Sequence, residues 1–245
     1  MTTDVPSLTC RGLRVSLGGQ RILDHFDLTV RPGRVHALIG RNGAGKSTAY
    51  KAILGLLRLD AGEVSVLGAP RTRESLRHIG ASINGPALYP HLSAVENLAI
   101  HCHLLGLPRS EALRALRAVG LPDTRKRASA FSTGMKARLA LAIATLGDPE
   151  VLLLDEPHNG LDPQGIVELR GFLRQWAHRG GAVLLSSHQL GEVTHMADDL
   201  TVLAHGRAQY AGTLADFAPP ERLEERFLAL TSGADASAHA REGRN

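Results

Sequence analysis

The chain has 245 residues, a formal net charge of +4 and a hydrophobic content of 43%, which is typical of a globular protein with a sizeable core. No apolar run reaches the roughly 18 residues that a bilayer span requires, so we predict a cytoplasmic protein. The 28 lysines and arginines are scattered and only 4% of residues are aromatic, which argues against a nucleic-acid-binding surface. We therefore expect no nucleic-acid partner.

The first predicted elements are two β-strands joined by a glycine turn. Apolar and polar residues alternate from Leu8 to Val30 around LGGQ, which indicates a hairpin or a small antiparallel sheet. Three later apolar runs, VHALI from Val35, VLLL from Val151 and AVLL from Ala182, are nearly continuous. Strands of a parallel sheet that are covered on both faces have this pattern. The core is therefore predicted to be α/β.

A helical block is predicted from about residue 86 to residue 147, between the first and second of these runs. Ser93 and Glu96 have the spacing of a capping box at the start of one of its helices. Another helix is predicted after Asp162, which is a suitable N-cap followed by Pro163 in the first turn. The block is interpreted as a helical subdomain inserted into the α/β core.

The C-terminal part contains one further predicted helix, PPERLEERFLALT, and then small polar residues. We predict a single domain over residues 1–230 and a disordered tail over residues 231–245. Cys10 and Cys102 have no metal-ligand spacing and are predicted to be two reduced thiols.

The segment GRNGAGKS, Gly40 to Ser47, has the pattern of a phosphate-binding loop between a strand and a helix. Its glycines allow backbone N–H groups to point inward, Lys46 can reach the β- and γ-phosphates, and the Ser47 hydroxyl can bind Mg²⁺. The alternative is a glycine turn with an incidental lysine, which the flanking strand and helix disfavour. We therefore predict a nucleotide site.

The apolar run VLLL continues into two carboxylates, Asp155 and Glu156. Ligands of parallel sheets bind beyond the carboxyl ends of the strands, so both acids are expected beside the phosphate-binding loop. Asp155 would hold Mg²⁺ and Glu156 would orient or deprotonate the attacking water. His188 follows a third strand and is expected at the same edge. The alternatives are an exposed acidic turn and a structural histidine.

A family resemblance comes from FSTGMKARLALA, Phe131 to Ala142, together with GRNGAGKST, DEP, NGLDP and SSH in this order. The chain resembles the nucleotide-binding subunit of ATP-binding cassette (ABC) transporters from about Leu8 to Leu230. The resemblance implies an ATPase with an α/β P-loop NTPase core of the ABC type. Such a core has a mixed parallel sheet, a small N-terminal antiparallel β-subdomain and an inserted α-helical subdomain.

The resemblance also implies that two subunits enclose two ATP molecules head to tail. FSTGM is similar to the family's serine-glycine signature, with Thr133 in place of the usual first glycine and Met135 in place of glutamine. Asp162 would lie at the dimer seam, a role compatible with capping a helix. Lys46, Glu156 and His188 are the implied catalytic residues. The implied ATP-binding residues are Asn42, Gly43, Ala44, Gly45, Lys46, Ser47, Thr48, Ser132, Thr133, Gly134, Met135 and Asp162.

Two positions depart from the family pattern. The family usually places an aromatic ring against adenine where this chain has Leu17, which gives apolar contact without stacking. It usually places a glutamine near Mg²⁺ where this chain has Asn84, which is one methylene shorter. The implied cofactors are ATP and Mg²⁺, with the metal held by Ser47, Asp155 and Asn84.

The implied partners are a second ATP-binding subunit and an integral-membrane permease, so that the chain would lie at the inner face of the cell membrane. The segment IGASINGPALYPHLSAVENL, with FSTGMK and EPHNGLDP, is similar to cassettes of exporters of peptide antibiotics such as bacitracin or lantibiotics. By this resemblance, Pro86 to Leu98 would cover the groove where a helix of the permease docks. Tyr89 and Leu92 are candidate contacts with the permease, unless they simply pack within the helical subdomain. The alternative functions are a soluble ABC ATPase that acts on a nucleoprotein or assembly complex, and a P-loop kinase. A kinase would need an acceptor pocket in place of FSTGM.

Overall fold

The structure is a computed structural model that describes residues 5–85, 87–188, 190–219 and 222–232. In chain order its main elements are β1 (Leu8–Leu17), β2 (Gln20–Val30), β3 (Val35–Ile39), α1 (Lys46–Ile53), β4 (Ala61–Val66), β5 (Ala69–Pro70), β6 (Ile79–Ser82), α2 (Ala94–Leu104), α3 (Ser110–Ala118), α4 (Thr133–Ala144), β7 (Val151–Asp155), α5 (Pro163–His178), β8 (Ala182–Ser187), α6 (Leu190–Met196), β9 (Asp199–Ala204), β10 (Arg207–Thr213), α7 (Leu214–Phe217) and α8 (Leu223–Ser232). The strands form two sheets.

The smaller sheet is antiparallel, with four strands in the order β2-β1-β4-β5. Its first two strands form the predicted hairpin, and the turn contains Gly18 and Gly19, with φ of 57° and 81°. Glycine adopts such positive φ values without the steric penalty of a Cβ atom. The prediction of an N-terminal antiparallel subdomain is confirmed, and β4 and β5 extend it beyond the hairpin.

The larger sheet has six strands in the order β10-β9-β3-β8-β7-β6. Its strands are parallel except at the β9–β10 pair, which is antiparallel. The three apolar runs predicted as buried strands are the neighbours β3, β8 and β7, with Val35 paired to Val183 and Val151 to Ala182. Their carboxyl ends therefore lie side by side at one edge, where the candidate site residues follow. The predicted α/β fold class is confirmed.

Helices α2, α3 and α4 lie between β6 and β7 in the chain, within the block predicted to be helical. The predicted capping box is present: Ser93 N–H donates to Glu96 Oε2 at 2.7 Å, and Glu96 N–H donates to Ser93 Oγ at 3.3 Å. Asp162 caps α5 as predicted, because its Oδ1 accepts from Gly165 N–H at 2.8 Å. The sequence therefore marks these helix starts correctly.

The C-terminal helix extends further than the sequence analysis predicted. Helix α8 ends at Ser232, one residue beyond the predicted helix PPERLEERFLALT, so Thr231 and Ser232 are helical although the range 231–245 was predicted to be disordered. Thr231 is buried, and its hydroxyl donates to the Phe227 carbonyl at 2.9 Å, so a polar residue is satisfied inside the last helical turn. Residues 233–245 lie outside the described part of the chain.

The larger sheet separates two hydrophobic layers. On one face its side chains pack against α2 to α6. On the other face they pack against the buried side of α1 and the inner face of the smaller sheet. Cys10 and Cys102 are both buried and free, as predicted for reduced thiols. Within the described ranges, no helix combines the length and apolarity needed to cross a bilayer.

His36 of β3 gives the fold a predictable dependence on pH. It is buried, with Nε2 lying 2.9 Å from Thr201 Oγ1. Burial lowers the pKa of His36 to about 4, against the opposing effect of Asp199. Because the unfolded chain binds this proton more readily, the stability contributed by a neutral His36 is lost as pH falls from about 6.5 towards 4.

We therefore expect that lowering the pH from about 7 to about 5 reduces the free energy of unfolding of the unsubstituted chain. The reduction should exceed that in His36→Gln by about 2 kcal/mol. Glutamine can keep a hydrogen bond to Thr201 but does not titrate in this range. Urea unfolding of both chains at the two pH values measures the difference. Equal pH dependence in the two chains would exclude His36 as the titrating group.

Candidate active site

The phosphate-binding loop connects the end of β3 to the start of α1. A Cβ atom at Gly40 would lie 2.5 Å from the Leu203 carbonyl oxygen, so that only glycine fits beside β9. Gly43 and Gly45 have φ of 82° and 108°, which bring the chain round to the N-terminus of α1. The first N–H groups of a helix have no partner within the helix and attract anions. This loop is therefore shaped to hold a phosphate group.

Lys46, the first residue of α1, folds back over the loop. Its side chain is largely buried, and Nζ donates to the Gly40 carbonyl at 2.7 Å. Burial lowers the pKa of Lys46, while the nearby Glu156 and Asp155 carboxylates oppose this effect. The ammonium thus lies between the loop and the two acids predicted to accompany it.

Asp155, at the end of β7, lies in a cluster of oxygen atoms. Ser47 Oγ donates to Asp155 Oδ2 at 3.0 Å, and Ser186 Oγ donates to Asp155 Oδ1 at 2.5 Å. The Ser186 oxygen also accepts from Glu156 N–H at 2.9 Å. The structure therefore brings Ser47 and Asp155 together as predicted. It adds Ser186 of β8, which the sequence analysis did not select although it belongs to the SSH motif.

Glu156 is held from two sides. His188 Nδ1 lies 3.0 Å from Glu156 Oε1, and Asn159 Nδ2 donates to Oε2 at 2.5 Å. Burial tends to raise the pKa of Glu156, but the hydrogen bonds from Asn159 and His188 and the charges of His188 and Lys46 hold it below the ordinary value. Glu156 also has φ of 51°, an uncommon conformation for a residue other than glycine and one that often marks functional sites. It is therefore an ionised, oriented carboxylate.

Tyr50 sets the position of α1 relative to the strands that carry the acids. Its hydroxyl is buried, 3.2 Å from the Leu154 carbonyl oxygen and 3.3 Å from that of Leu184. Burial raises the pKa of Tyr50 well above its ordinary value, so it remains a neutral donor. A tyrosine after GKST gives no local signal of this role, because its partners lie more than a hundred residues away in the sequence.

A cavity of about 710 Å³ adjoins the two carboxylates. Ser47, Asn84, Asp155 and Glu156 line one part of it, and apolar residues of α4 and α5 line another. Asn84 follows β6 with φ of 58°, is exposed, and lines the same cavity as the other two predicted metal ligands. The three residues predicted to hold Mg²⁺ thus share one space.

The signature residues Ser132 to Met135 lie elsewhere, at the start of α4. Ser132 Oγ accepts from Met135 N–H at 3.2 Å and caps the helix, while Ser132 and Thr133 are exposed. Thr133 packs against Gly160, where an added Cβ would lie 2.3 Å from the Thr133 methyl carbon. None of these four residues lines the cavity beside Asp155 and Glu156. The signature and the phosphate-binding loop of one chain therefore do not form one site in the described structure.

Leu17 ends β1, and 43% of its surface is exposed. A second cavity, of about 530 Å³, lies beside the loop and is lined partly by residues 20–22 and 41–44, including Asn42, Gly43 and Ala44. Leu17 is not among its lining residues. Thr48, in the first turn of α1, is half-buried. The contact between Leu17 and adenine remains a prediction.

Residues 23–159 match the family model described as "ABC transporter". The chain belongs to the ABC transporter family. Among curated ABC relatives, it is 40% identical to the lantibiotic transport ATP-binding protein SrtF of Streptococcus pyogenes, over 90% of this chain and 95% of that protein. It is 38% identical to the bacitracin transport ATP-binding protein BcrA of Bacillus licheniformis, over 78% of this chain and 64% of that protein.

Two solved structures share the fold of this ABC protein. The first is described as the ATP-binding subunit of an ABC transporter, with 30% identity, a TM-score of 0.81 and coverage of 91% of this chain and 98% of the other. The second is a dimeric, post-hydrolysis structure of the ATP-binding cassette MJ0796 bound to ADP and Pi. It has 21% identity, a TM-score of 0.76 and coverage of 84% and 98%, and it supports the fold alone.

The predicted family, fold class and ATPase activity are therefore confirmed. The chain is an ATP-binding and ATP-hydrolysing protein of the ABC family. The named relatives are transport proteins, which favours the transport function over the soluble alternative. The FSTGM segment, which argued against a kinase acceptor pocket, leads into α4 of an ABC fold, with Ser132 as the N-cap and Thr133 to Met135 in the first turn.

Proposed function

We propose that this chain hydrolyses ATP to drive a separate integral-membrane permease that exports peptide antibiotics or other amphipathic compounds. The chain would lie at the cytoplasmic face of the cell membrane. The relatives that transport lantibiotics and bacitracin support the cargo class. The observation that carries the ATPase part is the pairing of Ser47 with Asp155 and of Glu156 with His188 beside the phosphate-binding loop.

The site residues fit ATP and Mg²⁺. The glycine conformations and the close approach at Gly40 leave room for a phosphate against the loop backbone. Ser47, Asp155 and Asn84 offer a hydroxyl, a carboxylate and an amide oxygen, the hard oxygen ligands that Mg²⁺ prefers. The bound ion would neutralise charge on the phosphates.

Hydrolysis then follows from the positions of this chain's residues. Lys46 Nζ exchanges the Gly40 carbonyl for oxygens of the β- and γ-phosphates. Glu156, already ionised, orients a water in line with the γ-phosphate and accepts its proton as the water attacks. His188 Nδ1 bonds to Glu156 Oε1, so the other ring nitrogen, Nε2, is available to bind the γ-phosphate. Asn159 holds the second carboxylate oxygen and limits its rotation.

The position of the signature motif supports a shared site between two copies. Ser132 and Thr133 are exposed at the N-terminus of α4, and they do not line the cavity that contains Glu156. In the proposed dimer each phosphate-binding loop faces Ser132 to Met135 of the other copy, and Asp162 lies at the seam. ATP would join the copies, and hydrolysis would separate them and move the permease.

Tyr89 is the best-placed candidate for contact with the permease. Its ring is exposed, while Asn97, fully buried, accepts from Tyr89 N–H at 2.8 Å and donates to its carbonyl at 3.2 Å. Leu92 is half-buried and therefore less available. Pro86 lies outside the described residues. The backbone around Tyr89 is thus fixed by internal bonds, while the exposed part of its ring, which meets the His91 ring edge-on at 6.4 Å, is available to a partner.

The proposed partner can be identified by affinity purification of the tagged full chain carrying Glu156→Gln from detergent-solubilised native membranes, with ATP and Mg²⁺. We expect a multi-span membrane protein in stoichiometric amount. Tyr89→Ala in the same chain should reduce this recovery at least about tenfold, as for an interface hot spot, without changing ATP binding. Recovery of soluble partners alone would contradict the transport function.

Leu17 allows a test of the proposed position of adenine. We expect Leu17→Tyr to bind ATP about 1 kcal/mol more tightly, because a ring can stack on the base. Calorimetric titration with ATP measures this change. Leu56→Tyr, at another exposed leucine, is the control and should leave affinity unchanged. No gain from Leu17→Tyr would place adenine elsewhere, for example along the cavity lined by residues 20–22.

A further inference from the structure

His158 is a buried imidazole for which the proposed mechanism has no role. It lies two residues after Glu156, and only 2% of its surface is exposed. Neither of its ring nitrogens has a hydrogen-bond partner among the described residues. A neutral imidazole carries one donor and one acceptor, and buried groups of this kind are rarely left unpaired. A buried histidine with two ring nitrogens that both lack a hydrogen-bond partner is therefore unusual.

The surroundings of His158 connect it to the hydrolysis site. Its ring centroid lies 6.2 Å from that of His188, with the planes inclined at 44°, and His188 in turn contacts Glu156. On α6, Glu192 has a buried Oε2 atom that also lacks a partner among the described residues. Two unpaired polar groups thus accompany the Glu156–His188 pair.

Burial favours the neutral form of His158, although the nearby carboxylates oppose it. Burial lowers the pKa of His158, and the positive charge of His188 acts in the same direction. Glu156 and Glu192 have negative charges that oppose this shift without reversing it. Neither ring nitrogen of His158 bonds to the Glu156 carboxylate, so His158 does not compete with His188 for it. It can still donate a hydrogen bond from one nitrogen and accept one at the other.

We propose that His158 is a positioning residue for His188, with its ring against the His188 ring and linked to Glu192 through one internal water. This inference rests on the proposed roles of Glu156 and His188 in hydrolysis. The link would restrict rotation of the half-exposed His188 side chain and keep its Nδ1 on Glu156 Oε1. Buried waters commonly bridge polar groups of this kind.

Such a role affects turnover rather than nucleotide binding. His158 has no contact with the phosphate-binding loop among the bonds and ring contacts of the described residues, so its loss should leave the affinity for ATP unchanged. If His188 leaves Glu156, the attacking water and the γ-phosphate lose an oriented neighbour. The expected signature is a lower kcat with an unchanged KM.

The test uses the full-length chain with His158→Phe, with Glu192→Met, which removes both carboxylate oxygens, and with the two substitutions together. Phenylalanine keeps a flat ring against His188 but removes both nitrogens. We expect each single variant to lower kcat about tenfold. The KM for ATP should equal that of the unsubstituted chain, and Tm should be equal or higher. The kcat of the double variant should be no lower than that of either single variant, because the two residues act through one link. His158→Gln, which retains a donor and an acceptor, should recover most of the activity.

His195→Phe, an exposed histidine on the same helix as Glu192, is the matched control and should retain full activity. Unchanged kcat in His158→Phe, or independent multiplicative losses in the double variant, would overturn the inference. If His158→Phe does not fold, unchanged kcat in Glu192→Met overturns the inference alone. Glu156→Gln measured alongside is the separate test: retained hydrolysis there would contradict the proposed site itself.

Discussion

Replacing Glu156 with glutamine should reduce steady-state ATP hydrolysis by about two to four orders of magnitude, the range for loss of a general base. The amide has nearly the same shape as the carboxylate, and its one oxygen can still accept from either Asn159 or His188, but it cannot take a proton from the attacking water. Affinity for ATP should remain within a few fold, because no phosphate contact is lost. Phosphate release and equilibrium binding of labelled ATP measure the two quantities.

Glu150→Gln is the matched control for this substitution. Glu150 precedes the same strand at its opposite end, where Oε2 lies 2.9 Å from His78 Nδ1. The chemical change is identical but is made away from the nucleotide, so hydrolysis should be unaffected. Hydrolysis at an unchanged rate in Glu156→Gln would remove Glu156 from its proposed role, whatever the control shows.

The second large effect is expected from Lys46→Met. Methionine retains most of the buried side-chain volume but removes the ammonium that is proposed to bind the β- and γ-phosphates. Charge-assisted hydrogen bonds are worth about 2 kcal/mol, so affinity for ATP should fall at least about tenfold. Hydrolysis should fall by at least about a hundredfold, because the same charge stabilises the transition state. Calorimetry and phosphate release again separate binding from turnover.

Lys51→Met on the same helix controls for the loss of a lysine charge. Lys51 lies in the last turn of α1, away from the loop. We expect its binding and hydrolysis to match the unsubstituted chain. Thermal unfolding of both variants should show an intact fold, since a buried, partly desolvated ammonium contributes little to stability. Normal ATP affinity in Lys46→Met would mean that the phosphates do not lie against this loop.

The sequence predicted the elements whose signals are local. The glycine pattern before Lys46, the apolar run before Asp155 and the Asp162 cap each specify a short structure through nearby residues alone, and all three have the predicted form. The strands β6, β9 and β10 were not predicted. β6 is only four residues long, IGAS, and each residue is half-buried, so its sequence has neither an apolar run nor a clear alternation.

Strand order was beyond local reasoning. β3 pairs with β8 and β9, whose residues follow it by well over a hundred positions, and no pattern in either segment specifies the other. The same limit applies to the site. The sequence placed Asp155 and Glu156 at a sheet edge, but Ser186 and Tyr50 acquire their roles only when distant strands meet.

The central proposal, an ATP site completed by a second copy, is tested most directly by the mass of Glu156→Gln in solution with ATP and Mg²⁺. We predict about twice the monomer mass of 26.1 kDa. Adding Ser132→Arg, which places a bulky cation on the exposed signature, should return the protein to the monomer mass. Ser110→Arg at the start of α3 should not. A monomer that binds ATP, or a dimer that persists with Ser132→Arg, would contradict the shared site.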